Sequence, residues 1–288
     1  MQARPHYARP TTLDQALGLL AAGDSRILAG GTDVFPSLGS RPLAGPILDL
    51  SRLTAIRGIA QAGGQIRIGG ATTWSDLIAA DLPPGFAGLQ AAAREVGSVQ
   101  IQNRGTLAGN LCNASPAADG VPPLLALDAA VELQSAAGLR VLPLGAFITG
   151  NRQTLRRPDE LVTAILVPEA LARGRSSFLK LGARRYLVIS IAMIAATLVA
   201  GESGAIATAR VAVGSCSAVA QRLPALEAAL IGRPLAPGLG AAAAAAHLAA
   251  LAPIDDLRAS ADYRRDAALV LLRRTLEACA AGVAGGMA

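Results

Sequence analysis

Apolar positions recur at helical spacing near the start of the chain. Leu13, Ala16, Leu17 and Leu20 fall on one face, and Thr11 or Thr12 is placed to cap the helix they predict. Gly23 ends it. Ser25 to Ala29 reads as a short buried strand, followed at once by Gly30-Gly31-Thr32-Asp33 and a short helix from Val34 to Leu38. Pro46 to Leu50 reads as another strand. Ile56 to Ile59 and Gln65 to Gly69 pair as a hairpin about Gly63-Gly64. Thr72 or Thr73 caps a helix from Trp74 to Ala80, and Phe86 to Val96 is apolar with helical period. Ala129 to Gln134 and Arg140 to Pro143 form a second hairpin about Ala136-Ala137-Gly138. Phe147 to Arg152 is a loop holding Thr149, Gly150 and Asn151, and Glu160 to Val167 has strand character, ending at Pro168.

The pattern changes after an Arg- and Ser-containing stretch, Leu171 to Ser177. Ser177 to Leu181, Leu187 to Ala200 and Ala205 to Val213 read as strands, the last two separated by Gly201 to Gly204. Leu223 to Leu230, the Ala-rich run Ala241 to Leu251, and Tyr263 to Ala281 read as helices. Arg264, Arg265, Arg273 and Arg274 are expected on the solvent side of the last one, and the tail GVAGGMA is expected to fray. Strands first and helices afterwards predict an α+β unit of its own. At 288 residues the chain exceeds the usual domain size. A division into residues 1–172 and 173–284 is expected.

Composition narrows the function. Hydrophobic residues make up 52% but aromatics only 3%, so Ala, Val, Leu and Ile must fill the core. The formal charge of +6 comes from Arg residues spread singly or in pairs. No basic block is present, which disfavours nucleic acid as a partner. Cys112, Cys216 and Cys279 are far apart with no CxxC, so no zinc or iron–sulfur site is evident. The odd cysteine count, with no apolar leader in MQARPHYARPTTLDQAL, points to the cytoplasm. The longest apolar run, Leu187 to Ala200, falls short of the ~20 residues that a membrane span needs.

Two glycine-rich turns carry the candidate chemistry. Ile27 to Val34 is strand, Gly-Gly turn, helix, an arrangement that aims backbone N–H groups at an anion. It lacks the GxGxxG spacing of the Rossmann fingerprint. About 75 residues later, Gln100 to Asp128 is dense in Gly, Asn, Ser and Thr and ends in an apolar helix that Pro122 and Pro123 can start. Gly105, Thr106, Ala108, Gly109 and Asn110 let the backbone approach a ligand, while Asn113, Ser115 and Asp119 add polar groups. A phosphate cradle and a tight self-bonded loop both satisfy this composition. Two such turns imply one diphosphate clamped from both sides. Lys180 is the only lysine among 26 basic residues. Asp33 can bind a ligand or cap the helix at Val34. Trp74 can stack on a base or fill the core. Cys112 reads as a small buried hydrophobe, His247 as structural, and neither His6 nor His247 lies beside a glycine turn.

Five collinear motifs carry a resemblance: ILAGGTDV (Ile27 to Val34), IGGATTWSDL (Ile68 to Leu77), QIQNRGTLAGNLCNASPAAD (Gln100 to Asp119), FITGNRQTLRRPDELVTAILVP (Phe147 to Pro168) and FLKLGARR (Phe178 to Arg185). Together they resemble the FAD-binding medium subunit of molybdenum hydroxylases, the group of xanthine dehydrogenase and aerobic carbon monoxide dehydrogenase. The resemblance implies a PCMH-like FAD-binding domain in two lobes, about 1–55 and 56–172, then a small domain of antiparallel sheet and helices. It implies FAD held between the lobes by Ile27, Leu28, Ala29, Gly30, Gly31, Thr32, Asp33 and Val34 on one side. On the other side stand Thr106, Leu107, Ala108, Gly109 and Asn110. Ser115, Asp119, Val162 and Lys180 complete the expected contacts, with Lys180 beside the flavin. It further implies a large molybdopterin subunit and a small [2Fe-2S] subunit as partners, assembled as a dimer of heterotrimers. This chain would relay electrons from the iron–sulfur subunit to an external acceptor. The chain departs from the pattern at Ala108, where relatives often carry glycine, and it lacks the iron–sulfur insertion of the benzoyl-CoA-type relatives. Tyr186 is a candidate to shield the flavin face. A self-sufficient flavin oxidase, a non-catalytic nucleotide-binding subunit and an RNA-binding protein are the competing readings.

Overall fold

The structure is a computed structural model and describes residues 7–23 and 25–287; His6 lies outside them. It is an α+β chain organised around three sheets. The first is small and parallel, in the order β1-β3-β2, from β1 (Tyr7–Ala8), β2 (Arg26–Leu28) and β3 (Ile47–Asp49). Helix α1 (Leu13–Ala21) covers it with Ala16, Leu17 and Leu20, as its period predicts. Thr12 caps this helix by accepting the Gln15 N–H. Helix α2 (Val34–Leu38) follows the first glycine turn.

The second sheet is antiparallel, in the order β4-β5-β10-β6-β7. It comprises β4 (Ile59–Ala62), β5 (Gln65–Gly69), β6 (Ala130–Ser135), β7 (Gly138–Pro143) and, out of sequence order at the centre, β10 (Leu161–Pro168). A short hairpin, β8 (Ile148–Gly150) with β9 (Gln153–Thr154), occupies the stretch expected as plain loop. Helices α3 (Trp74–Ala79), α4 (Ala87–Glu95), α5 (Val99–Gln102), α6 (Leu107–Asn113) and α7 (Val121–Ala126) pack on this sheet, with one-turn helices α8 (Leu144–Phe147) and α9 (Glu169–Ala172). Thr73 and Asp76 form a reciprocal capping box on α3. The stretch Gln100 to Asp128, read as a loop, is largely these short helices. Its polar residues cap and connect them: Thr106 accepts the Gly109 N–H at the start of α6, and Pro122 and Pro123 sit in the first turn of α7.

The third sheet has the order β14-β13-β12-β11-β15. It consists of β11 (Arg175–Leu181), β12 (Ala192–Ala200), β13 (Ile206–Gly214), β14 (Gln221–Arg222) and β15 (Gly285–Met287). Helices α10 (Pro224–Leu230) and α11 (Ala261–Ala281) cover one face. The other face meets α4 and α7 through Ala91, Ala92, Ala126 and Ala195, small residues that leave room for the Phe178 and Met193 side chains. Asp128 clasps the same seam, ion-paired with Arg210 at 2.6 Å and Arg222 at 2.5 Å.

Four expectations are corrected. The strand expected from Leu187 begins only at Ala192; residues 182–191 leave the sheet, with Leu187 at φ +51°. The Ala-rich run makes only two 3₁₀ turns, Leu239–Ala242 and Ala245–Leu248, because an all-Ala segment has little apolar face to bury. The tail does not fray: Gly285–Met287 pairs in parallel with β11. Arg264 does not face solvent. It is 3% exposed and donates to the Ile191 and Ser215 carbonyls at 2.6 and 3.2 Å and to Asp256 at 2.7 Å. Arg265, Arg273 and Arg274 are exposed as expected.

Replacing Arg264 by Met leaves those carbonyls without a donor. We expect a loss of about 1–3 kcal/mol, read as a lower Tm of the purified protein; an unchanged Tm contradicts the role. Burial pushes Asp256 up, but hydrogen bonds from Arg258 and Arg264 outweigh it and hold the carboxyl down at about 2. With the folded pKa below the unfolded one, the stabilisation from Asp256 is present above the ordinary carboxylate range and is lost as pH falls toward about 2.

Candidate functional site

The two glycine turns face one cavity. Gly30 lies so close to the second turn that a Cβ there would sit 2.0 Å from the Arg104 carbonyl oxygen and 2.9 Å from Gly105 Cα. Gly31 has φ +75°, and a Cβ on it would strike the Phe35 ring at 2.6 Å. Both glycines are therefore imposed by geometry, the first by close approach and the second by conformation as well. Beside this contact opens a cavity of about 1150 Å³. That exceeds the ~300–1,000 Å³ of most small-molecule pockets and suits an extended dinucleotide.

The turns contribute differently. In the first, the N–H groups of Gly30, Gly31 and Thr32 donate to nothing among the described residues, and the Thr32 hydroxyl is also unengaged. Asp33 precedes α2 but makes no side-chain capping bond. In the second turn the N–H groups hold the turn itself: Leu107 donates to Thr72 O, Ala108 to Gly70 O, Gly109 to Thr106 Oγ1 and Asn110 to Thr106 O. This turn offers side chains instead. Asn110 Oδ1 is buried without a hydrogen-bond partner, an unmet need that a ligand donor would satisfy. Ala108 has ordinary helical φ, so its Cβ brings no backbone strain.

Of the residues expected at the site, Ile27, Ala29, Gly30, Gly31, Thr32, Asp33, Val34, Thr106, Ala108, Gly109, Asn110 and Val162 line the cavity. Val162 does so where β10 bulges against β6. Leu28 and Leu107 turn into the protein, and Ser115 accepts the Ala117 N–H outside the lining. Trp74 is 2% exposed, and its ring packs where Gly105 and Gly120 lack side chains, a core role. Cys112 reaches the cavity, with burial pushing its thiol up to about 11, so it is protonated and unreactive at neutral pH. His247 accepts the Ala244 N–H, a local structural bond. Tyr186 is 58% exposed under the Arg185 guanidinium and outside the lining, whereas its neighbours Leu187, Val188 and Ile189 form part of the wall.

Lys180 and Asp119 come together behind that wall. Lys180, 1% exposed, bonds Asp119 Oδ2 at 2.8 Å, and Ser190 donates to Asp119 Oδ1 at 2.6 Å. Lys180 also reaches the Glu95 carbonyl at 3.5 Å, closing the C-terminal end of α4 with a cation. Burial pushes the Asp119 carboxyl up, opposed by the ammonium and the hydroxyl that bind it. Sequence reasoning missed Arg26, Arg152 and Arg156, which line the cavity and make no ion pair among the described residues. Arg152 sits at φ +61° and bonds Asn113. Facing Asp33, the one lining carboxylate among the described residues, these arginines leave the cavity cationic, as a diphosphate requires.

Asp119→Ala strands a buried ammonium. We expect it to destabilise the protein by about 3–5 kcal/mol, with Asp119→Asn milder because an oxygen remains for Ser190. Chemical denaturation checks both, and a silent alanine variant contradicts the pairing.

Comparison with known proteins follows the same lines. Residues 2–170 match the family described as FAD binding domain in molybdopterin dehydrogenase, and residues 177–279 match the CO dehydrogenase flavoprotein C-terminal domain. The chain is 32% identical over 275 residues to the nicotine 6-hydroxylase medium subunit of Paenarthrobacter nicotinovorans, covering 94% of this chain and 95% of that one. It is 30% identical over 282 residues to the carbon monoxide dehydrogenase medium chain of Hydrogenophaga pseudoflava, covering 96% of each. A solved structure of reconstituted CO dehydrogenase from Oligotropha carboxidovorans superposes with a TM-score of 0.86 at 29% identity, over 98% of this chain and 100% of that chain. No helix among the described residues is long and apolar enough to cross a membrane. The chain belongs to the family of FAD-binding medium subunits of molybdenum hydroxylases.

Proposed function

We propose that this chain holds FAD non-covalently in the cavity between the glycine turns and relays electrons within a larger assembly. The observation that carries the reading is the row of unengaged N–H groups in the first turn, set against the closely approaching second turn on a cationic cavity. Gly30, Gly31 and Thr32 would bind the diphosphate through main-chain N–H groups, with Asn110, Asp33 and Val162 placing the remainder. Thr106 Oγ1 accepts the Gly109 N–H to cap α6, which leaves its O–H free to donate to a phosphate oxygen.

Bound FAD supplies the capacity to collect electrons from an iron–sulfur donor and pass them to an acceptor. The chain's own part is positioning and electrostatics. Leu187 to Ile189 narrow access for water, the arginines balance the phosphates, and the Lys180–Asp119 pair sets the charge behind the wall. The molybdopterin and [2Fe-2S] centres are assigned to partner subunits, in line with the family to which the chain belongs. We place the chain in a heterotrimer with a large molybdopterin subunit and a small [2Fe-2S] subunit, paired into a dimer. The three cysteines are all free thiols, in keeping with a cytoplasmic setting.

Gly30→Ala tests the clamp, because its Cβ has 2.0 Å where it needs ordinary contact distance. We expect the purified complex carrying it to retain less than about a tenth of the wild-type flavin, a loss of more than ~1.4 kcal/mol of binding. Full flavin content in this variant would contradict the reading.

A further inference from the structure

One half-buried carboxyl group next to the cavity has no part in that scheme. Glu95 is the last residue of α4, immediately before Val96 and Gly97 of the cavity wall. Its carbonyl accepts from Lys180, while its carboxyl Oε2 is buried with no hydrogen-bond partner. The charged groups facing it are Lys180 from β11, Asp119 from the approach to α7, and Arg185 from the segment after β11. Arg94 beside it on α4 points to solvent. Burial is the largest influence and pushes the Glu95 carboxyl above its usual range; Lys180 opposes, Asp119 reinforces and Arg185 opposes. The negative end of the α4 dipole adds to the cost of ionising it there.

We propose that Glu95 is a positioning residue that takes up a proton when negative charge enters the cavity and gives it back when that charge leaves. Lys180 is one cation between two carboxyl groups. Ionising Glu95 adds one negative charge behind the wall, which Lys180, already paired with Asp119, and the exposed Arg185 offset only in part. Resting on the FAD reading, the consequence is direct. Reduction adds two electrons from the iron–sulfur partner and one proton from water, and leaves bound FAD with a negative charge. An ionised Glu95 opposes that charge. It therefore binds a second proton from water as reduction proceeds and releases it to water on reoxidation. The unpartnered Oε2 is where this proton resides.

The test is a redox titration of the flavin in the purified complex across acid to alkaline pH, for wild type, E95Q and E95D. The readout is the midpoint potential rather than turnover. At acid pH, wild type and E95Q should coincide. As Glu95 ionises, wild type should fall below E95Q by about tenfold in the oxidation equilibrium, about 30 mV for a two-electron couple. E95D keeps a titrating carboxyl on a shorter stem, so its bend should persist at a displaced pH. If E95Q fails to keep its flavin, the E95D curve decides, and an undisplaced bend overturns the proposal. Superimposable wild-type and E95Q curves overturn the proposal and leave the FAD reading intact. A complex with no flavin on this chain overturns both.

Discussion

The arrangement depends on one backbone contact. Gly30 meets the Arg104–Gly105 peptide with no room between them for a side chain. This contact fixes the small parallel sheet against the helices of the second sheet. It also decides how each turn is used. The second turn is braced from behind by Gly70 and Thr72, whose carbonyls accept its N–H groups, and by Trp74, which fills the space left by Gly105 and Gly120. The first turn is braced only at its ends, by pairing of β2 with β3 and by the Phe35 N–H on the Gly31 carbonyl. Its N–H groups stay available. One rigid jaw and one chemically open jaw are what an extended diphosphate ligand needs.

Electrostatics then sorts the cations. Arginine serves wherever charge lies near the surface or must fork between acceptors, as at Arg140–Glu160 and Arg222–Asp128–Glu227. The single lysine sits at a nearly sealed position, where a compact ammonium bridges Asp119 and the end of α4, while the equally buried Arg264 forks between two carbonyls and Asp256. That bridge joins three elements that also meet through the apolar cluster around Phe178: β11, the approach to α7, and the C-terminal end of α4. Ser190 ties residues 182–191 to the same carboxylate. Arg264 holds the neighbouring Ile191 from the other side. The cavity wall at Leu187 to Ile189 is thereby anchored through polar bonds rather than through a strand.

Much of this was readable from residues alone, for physical reasons that can be named. Helix α1 declares itself through period and capping residues, and the Gly63-Gly64 turn of the β4–β5 hairpin through its paired glycines, although the first strand, expected at Ile56 to Ile59, lies at Ile59–Ala62 after a 3₁₀ turn at Thr54–Ile56. The first glycine turn was legible because Gly-Gly after a strand has few other uses. What failed depended on tertiary context. Nothing in an Ala-rich run reveals that it will stop at 3₁₀ turns. The run Leu187 to Ala200 is uniformly apolar, so its pattern does not show that the first part leaves the sheet to border a cavity. Arg264 follows the spacing of a surface residue, and only the carbonyls of Ile191 and Ser215 explain its burial. Parallel addition of β15 to β11 joins segments too distant for any local signal. At the site, Asp119 and Lys180 were expected to contact the cofactor; neither lines the cavity, and their pairing with each other could not be seen from a separation of 61 residues.

The most direct measurement is a visible absorption spectrum of the native assembly followed, after mild separation of its subunits, by spectra of each chain. The account predicts that flavin absorbance travels with this chain and that iron–sulfur absorbance does not. Flavin bands on another subunit, or a native assembly in which this chain carries no flavin, would contradict it.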